Sequence, residues 1–184
     1  MFLAGCSKDD PKPENIPEAI TKATFTFTPA TGSPVVVTAT DSDGEGPNPR
    51  VLSGPIALTK NVTYTLTITM INELAATTAP EYNVTDEVEE EAAEHLFFFA
   101  WTNNTFSNPA GNGNIDARAD LVNYNDKDAN NLPLGLSTAW TTINATGSGK
   151  FRVVLKHQPE LKSATSTASD GESDLDVEFD LTVN

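Results

Sequence analysis

One cysteine, two histidines and eleven basic residues in a chain of 184 are shortages, and each closes off a class of function. Cys6 stands alone, so neither an internal disulfide nor a cysteine-based metal site can form. Against the eleven Lys and Arg stand twenty-six Asp and Glu, a formal charge of −15, and the basic residues are scattered singly. Recognition of a phosphate backbone needs clustered positive charge, so no nucleic-acid partner is expected. The sequence also lacks a Gly-x-Ser-x-Gly elbow, a His-Glu-x-x-His pair and a phosphate loop, and it reads as a non-enzyme. The length is enough for a self-supporting core, since a chain of this size buries about 70% of its unfolded surface.

The amino terminus runs Met1-Phe2-Leu3-Ala4-Gly5-Cys6, a short apolar segment ending in small residues directly before the only cysteine. This looks like a bacterial lipobox. Cys6 is then expected to be the first mature residue and to carry acyl chains, each buried CH₂ contributing about 0.8 kcal/mol to membrane anchoring. Residues 1–22 are assigned to a signal remnant, the lipidated cysteine and a tether in which Pro11, Pro13 and Pro17 prevent a continuous helix. Ser7-Lys8-Asp9-Asp10 resembles the acidic export signal of Bacteroidota surface lipoproteins, which implies an outer-membrane protein exposed at the cell surface.

The remaining body, 23–184, alternates apolar and polar residues at period two, the mark of strands with one buried face. In Thr63 to Met70, Tyr64, Leu66, Ile68 and Met70 point one way and four threonines the other. Near the C-terminus, Leu175, Val177, Phe179, Leu181 and Val183 alternate with Asp174, Asp176, Glu178, Asp180 and Thr182. Further strands are expected over Thr24 to Thr28, Val35 to Ala39, Val51 to Leu58, Leu96 to Trp101, Leu121 to Tyr124, Leu136 to Thr142 and Phe151 to His157. Thr85 to His95 alone has helical character, with Asp86 and Glu89 spaced as a capping box. The expectation is an all-β fold, an antiparallel β-sandwich of about nine strands. The same order of strands and turns recurs in 23–96 and 97–184, and the span from Asp41 to Glu73 matches that from Asp126 to Glu160 within two residues. Two similar Ig-like or Greek-key halves would explain this, as would chance spacing of strands.

Two groups of residues are candidates for metal binding. Asp41 with Asp43, and Asp126 with Asp128, lie in turns where paired carboxylates can hold calcium; the same residues also favour turns by bonding the local backbone. Position twelve of each loop is Leu52 or Ser137, so neither is an EF-hand. His95 follows Glu91 and Glu94, while His157 continues the row Phe151, Val153, Leu155 and precedes Glu160. Neutral imidazoles supported by Glu91, Glu94 and Glu160 suit zinc or copper, provided that the strands bring them together. The competing reading makes each histidine a strand-end hydrogen-bond partner. Trp101 and Trp140, with Tyr82 and Tyr124, would form a sugar-stacking platform if exposed and a core if buried.

Leu3-Ala4-Gly5-Cys6, the acidic run from Glu87 to His95 leading into Phe97-Phe98-Phe99, the Asp126-x-Asp128 turn before Pro133-x-Gly135, and Leu155-x-His157-x-Pro159 together resemble a group of small Bacteroidota β-sandwich lipoproteins found beside TonB-dependent outer-membrane receptors. The resemblance implies an accessory role in nutrient or metal capture with such a receptor as partner. A structural, adhesive or glycan-binding surface protein is the alternative.

Overall fold

The computed structural model describes residues 18–44, 46–116 and 121–184; Cys6 and most of the tether lie outside them. The strands are β1 Lys22–Pro29, β2 Val35–Thr40, β3 Val51–Leu52, β4 Ile56–Leu58, β5 Thr63–Ile71, β6 His95–Asn108, β7 Ala110–Gly113, β8 Asn123–Tyr124, β9 Ser137–Thr142, β10 Gly147–His157 and β11 Glu172–Val183. One helix, α1 Val84–Glu90, precedes β6. The body begins slightly before its expected start, because Ile20 and Thr21 are already buried.

The fold is mostly β, and its strands form a single curled sheet, a half-barrel, with the order β3-β2-β1-β5-β9-β6-β10-β11-β4. β7 pairs with β6, and β8 with β9. Where two separate sheets were expected, β9 pairs with both β5 and β6 and so joins the early and late strands into one ladder. The sheet is mixed, since β4 runs parallel to β11 while the other pairs are antiparallel.

The curl has a covalent cause. Val51 to Leu58, expected as one strand, is split by Ser53-Gly54-Pro55 into β3 at one edge of the sheet and β4 at the other. Gly54 takes φ +146, and Pro55 has no amide to give to a ladder. Four Cα steps from Leu52 to Ile56 span at most about 14 Å, so the two edges must approach each other.

The period-two faces are buried as expected. β5 has Tyr64, Leu66, Ile68 and Met70 inside and its threonines outside. Across the curl, Phe25 meets Phe179 edge-on at 5.2 Å and Phe27 meets Phe151 at 5.8 Å. Trp101 and Trp140 are 1% and 0% exposed, with ring centroids 5.1 Å apart, so the tryptophans belong to the core and offer no sugar platform. β7 was not expected from its sequence, Ala-Gly-Asn-Gly. A Cβ at Gly113 would fall within the Trp101 ring, so glycine is what lets this short strand lie over the indole.

α1 also differs from expectation. Asn83 precedes it without a side-chain cap, and the Asp86 and Glu89 capping box does not form. Instead Thr85 Oγ1 accepts from the Met70 amide at 2.7 Å and donates to the Met70 carbonyl, tying α1 to the end of β5. Val84 and Val88 are buried against the core, which leaves the helix's acidic side chains to the end of the half-barrel.

Candidate metal centre

β6 and β10 are neighbours in the sheet, and the last rung of their ladder puts His95 directly opposite His157. Period two from Trp101, Phe99 and Phe97 carries His95 onto the core face; the same period from Phe151, Val153 and Leu155 carries His157 there. Directly opposite residues have Cβ atoms about 5 Å apart, and these two rings stack at 4.5 Å with planes 8° apart. His95 is fully buried and His157 nearly so.

Each ring has one nitrogen engaged and one without a hydrogen-bond partner. His95 Nδ1 lies 3.2 Å from the Glu91 carbonyl, which can only accept, so Nδ1 carries the proton. Its Nε2 is buried and unpartnered. His157 Nε2 lies 3.3 Å from Glu94 Oε2, while its Nδ1 is buried and unpartnered. Burial, then the neighbouring His157 and the Lys162 ammonium, pull the His95 imidazole down to about 4, although the Glu91 carbonyl opposes them. At neutral pH the ring is therefore uncharged, the form that binds metals. Anchoring of the second ring nitrogen on a carbonyl or carboxylate is the arrangement that aims a ligating histidine.

Glu91, His95 and His157 gather with one ligand atom from each lying within 4.8 Å of the others, so these three residues could hold a metal ion. A tetrahedral ion at about 2.1 Å from its ligands sets them about 3.4 Å apart, so binding needs the ligand atoms to draw together and the two stacked rings, whose lone pairs lie in nearly parallel planes, to tilt toward a common point.

Three further groups surround the pair, and of their residues only Asp128 stood among the ligands expected from sequence. Asp174 of β11 is buried, with Oδ2 3.8 Å from His95 Nε2. The Glu18 amide approaches its carboxylate, but neither oxygen completes a hydrogen bond of good geometry. Burial raises the Asp174 carboxyl to about 6, despite the opposing influence of His157. Glu18 lies beside Glu87; burial first, then the Glu87 charge and a hydrogen bond between the two side chains, push Glu18 up to about 8, so Glu18 holds its proton at neutral pH. Lys162 Nζ donates to the Ala92 carbonyl at 2.6 Å and lies 3.0 Å from Asp128 Oδ2, with both charged side chains fully buried. Glu87 stands four residues before Glu91, a helical spacing legible in the sequence.

The other expected ligands lie elsewhere. Glu94 is the outer partner of His157 rather than a member of the three-residue group. Glu160 is exposed at φ +60, outside that group. Asp126 accepts from the Gly135 and Ser137 amides, both at 2.8 Å. Asp128 Oδ1 accepts from the Asn130 and Leu132 amides; burial would raise its carboxyl, but Lys162 and these amides hold it below the usual range. Within that turn, amides hold both oxygens of Asp126 and Oδ1 of Asp128, and Lys162 faces Asp128 Oδ2 at 3.0 Å. Asp41 faces Arg50 at 3.5 Å and Asp43 accepts from Asn48 at 2.7 Å. Each keeps one buried unpartnered oxygen, yet among the described residues no third carboxylate or histidine gathers with them.

No family model, curated protein or solved structure matches this chain. What bears on function is the chemistry at the paired histidines.

Proposed function

We propose that the chain is a non-enzymatic metal-capture protein, binding a zinc- or copper-class ion at Glu91, His95 and His157. The observation that carries this reading is two stacked, buried imidazoles, each with one anchored nitrogen and one unpartnered nitrogen, beside a carboxylate. A purely structural pair of strand-end histidines would be expected to satisfy both nitrogens, because an unmet buried polar atom costs about 1–3 kcal/mol. The lipobox-like sequence at Cys6 supports a lipid anchor in the outer membrane, and the −15 charge supports enrichment of cations near the surface. In this reading the domain hands its ion to a TonB-dependent receptor.

Calorimetric titration of the chain with Zn²⁺, Cu²⁺ and Ca²⁺, beside His95→Ala and His157→Ala, tests the site. Zn²⁺ or Cu²⁺ should bind and both variants should lose it. Absence of binding below about 100 μM, or about −5.5 kcal/mol, would remove the reading. The anchor is tested separately by labelling cells with a radioactive fatty acid: the native protein should take up label and Cys6→Ser should not.

A further inference from the structure

The three gathered residues offer two imidazoles and one exposed carboxylate, which leaves open why a fourth ionisable group should be buried among them. Asp174 is that group. Its side chain is fully buried, neither carboxylate oxygen has a well-formed hydrogen bond although the Glu18 amide approaches, and Oδ2 lies 3.8 Å from His95 Nε2. With the His95 proton on Nδ1, these two facing atoms both present lone pairs. Two acceptors cannot bond each other, but a cation between them satisfies both. The separation of 3.8 Å is somewhat wider than the about 3.4 Å edge of a tetrahedral zinc site.

The backbone explains how Asp174 reaches this position. β10 and β11 pair Leu155 with Leu175 and Lys156 with Ser173, which leaves Asp174 as an extra residue in a β-bulge. Without the bulge, alternation from Leu175 would turn Asp174 outward with Asp176 and Glu178. With it, Asp174 and Leu175 are both buried in succession. Bulges recur where a strand must re-aim a side chain.

We propose that Asp174, which faces His95 from just outside the three gathered residues, is a further metal ligand that closes on the ion to complete with Glu91, His95 and His157 a two-imidazole, two-carboxylate set for a divalent cation of the zinc class. This rests on the metal-capture reading and deepens it by choosing among ions. Two carboxylates balance the charge of a divalent ion, whereas a monovalent copper ion favours the soft sulfur ligands that the site lacks.

The test titrates Zn²⁺ by calorimetry, and Cu⁺ supplied from a chromogenic chelator, into the native chain, Asp174→Asn and Asp174→Leu. Co²⁺ absorption of each reports coordination number. The native chain should bind Zn²⁺ more tightly than Cu⁺, and both variants should lose at least tenfold in Zn²⁺ affinity with a changed Co²⁺ spectrum. The leucine variant guards against misfolding, since an apolar side chain suits this buried position better than an unpaired carboxylate. Zn²⁺ affinity and Co²⁺ spectra unchanged in both variants would overturn the role of Asp174 while leaving the three-residue site standing. Tighter binding of Cu⁺ than Zn²⁺ by the native chain would overturn the ion class, and binding of neither ion would remove both readings.

Discussion

His95 Nε2 and Asp174 Oδ2 face each other at 3.8 Å in a region closed to solvent, and their protonation equilibria pull stability in opposite directions. The His95 ring, lowered to about 4, binds fewer protons folded than unfolded between about pH 4 and 6.5. Its contribution therefore makes stability rise with pH through that window. Asp174, raised to about 6, binds more protons folded than unfolded between about pH 4 and 6, so its contribution makes stability fall with pH. The two largely cancel in the native chain. Relative to the native chain, metal-free His95→Phe should make the slope of stability against pH more negative between pH 4 and 6, and Asp174→Leu should make it more positive, each changing it by at most about 1.4 kcal/mol per unit. Urea unfolding of native chain and variants at several pH values checks both changes; changes of the same sign would contradict the assignment.

Glu18 governs a higher window. Its folded-state value of about 8 lies above the ordinary 4.5, so its stabilising contribution is complete below pH 4.5 and disappears as pH rises through 8. Melting temperature should decline from pH 6 to 8 in chelator, and Glu18→Gln should flatten the decline by making the proton on this side of the Glu87 pair unnecessary.

At pH 8 without metal, Asp174→Leu should melt a few degrees above the native chain. An unpartnered buried carboxylate costs about 1–3 kcal/mol, and each kcal/mol moves the midpoint of a protein this size by about 2–4 °C. Zn²⁺ should narrow or reverse the difference, because the native chain binds it more tightly and so gains more stability. Differential scanning calorimetry with and without Zn²⁺ reads both.

The buried Lys162 and Asp128 pair fastens the segment after β10 to the turn before β9. Lys162→Met removes one partner and leaves the other charge stranded, at a cost of about 3–5 kcal/mol. Adding Asp128→Leu should recover part of that loss. A double variant no more stable than Lys162→Met in chemical denaturation would show that the charge left behind is not the cause.

Phe151 touches the rings of Phe27, Phe99, Phe106 and Trp140, and so ties β1, β6 and β9 to β10. Phe151→Ala should destabilise by about 3–5 kcal/mol, measured by urea unfolding, with quenching of the buried tryptophan emission as solvent reaches the gap.

Local pattern determined much of this protein. Threonine-apolar alternation defined β5, the phenylalanine-rich row defined much of β6, and the row of Phe151, Val153 and Leu155 already placed His157 on an inward face, whereas His95, expected to end a helical segment, proved to be the first residue of β6. Their pairing was decided only when β6 and β10 became neighbours in register, because cross-strand partners depend on long-range hydrogen bonding that period two does not encode. Val51 to Leu58 was expected as one strand, and only the tertiary structure broke it at Ser53-Gly54-Pro55 and sent its two sides to opposite edges of one sheet. Asp174 shows the limit most clearly. Its sequence position belongs to the solvent row of β11, and a single bulge, set by the pairing with β10, shifts the phase of that row and turns the carboxylate inward.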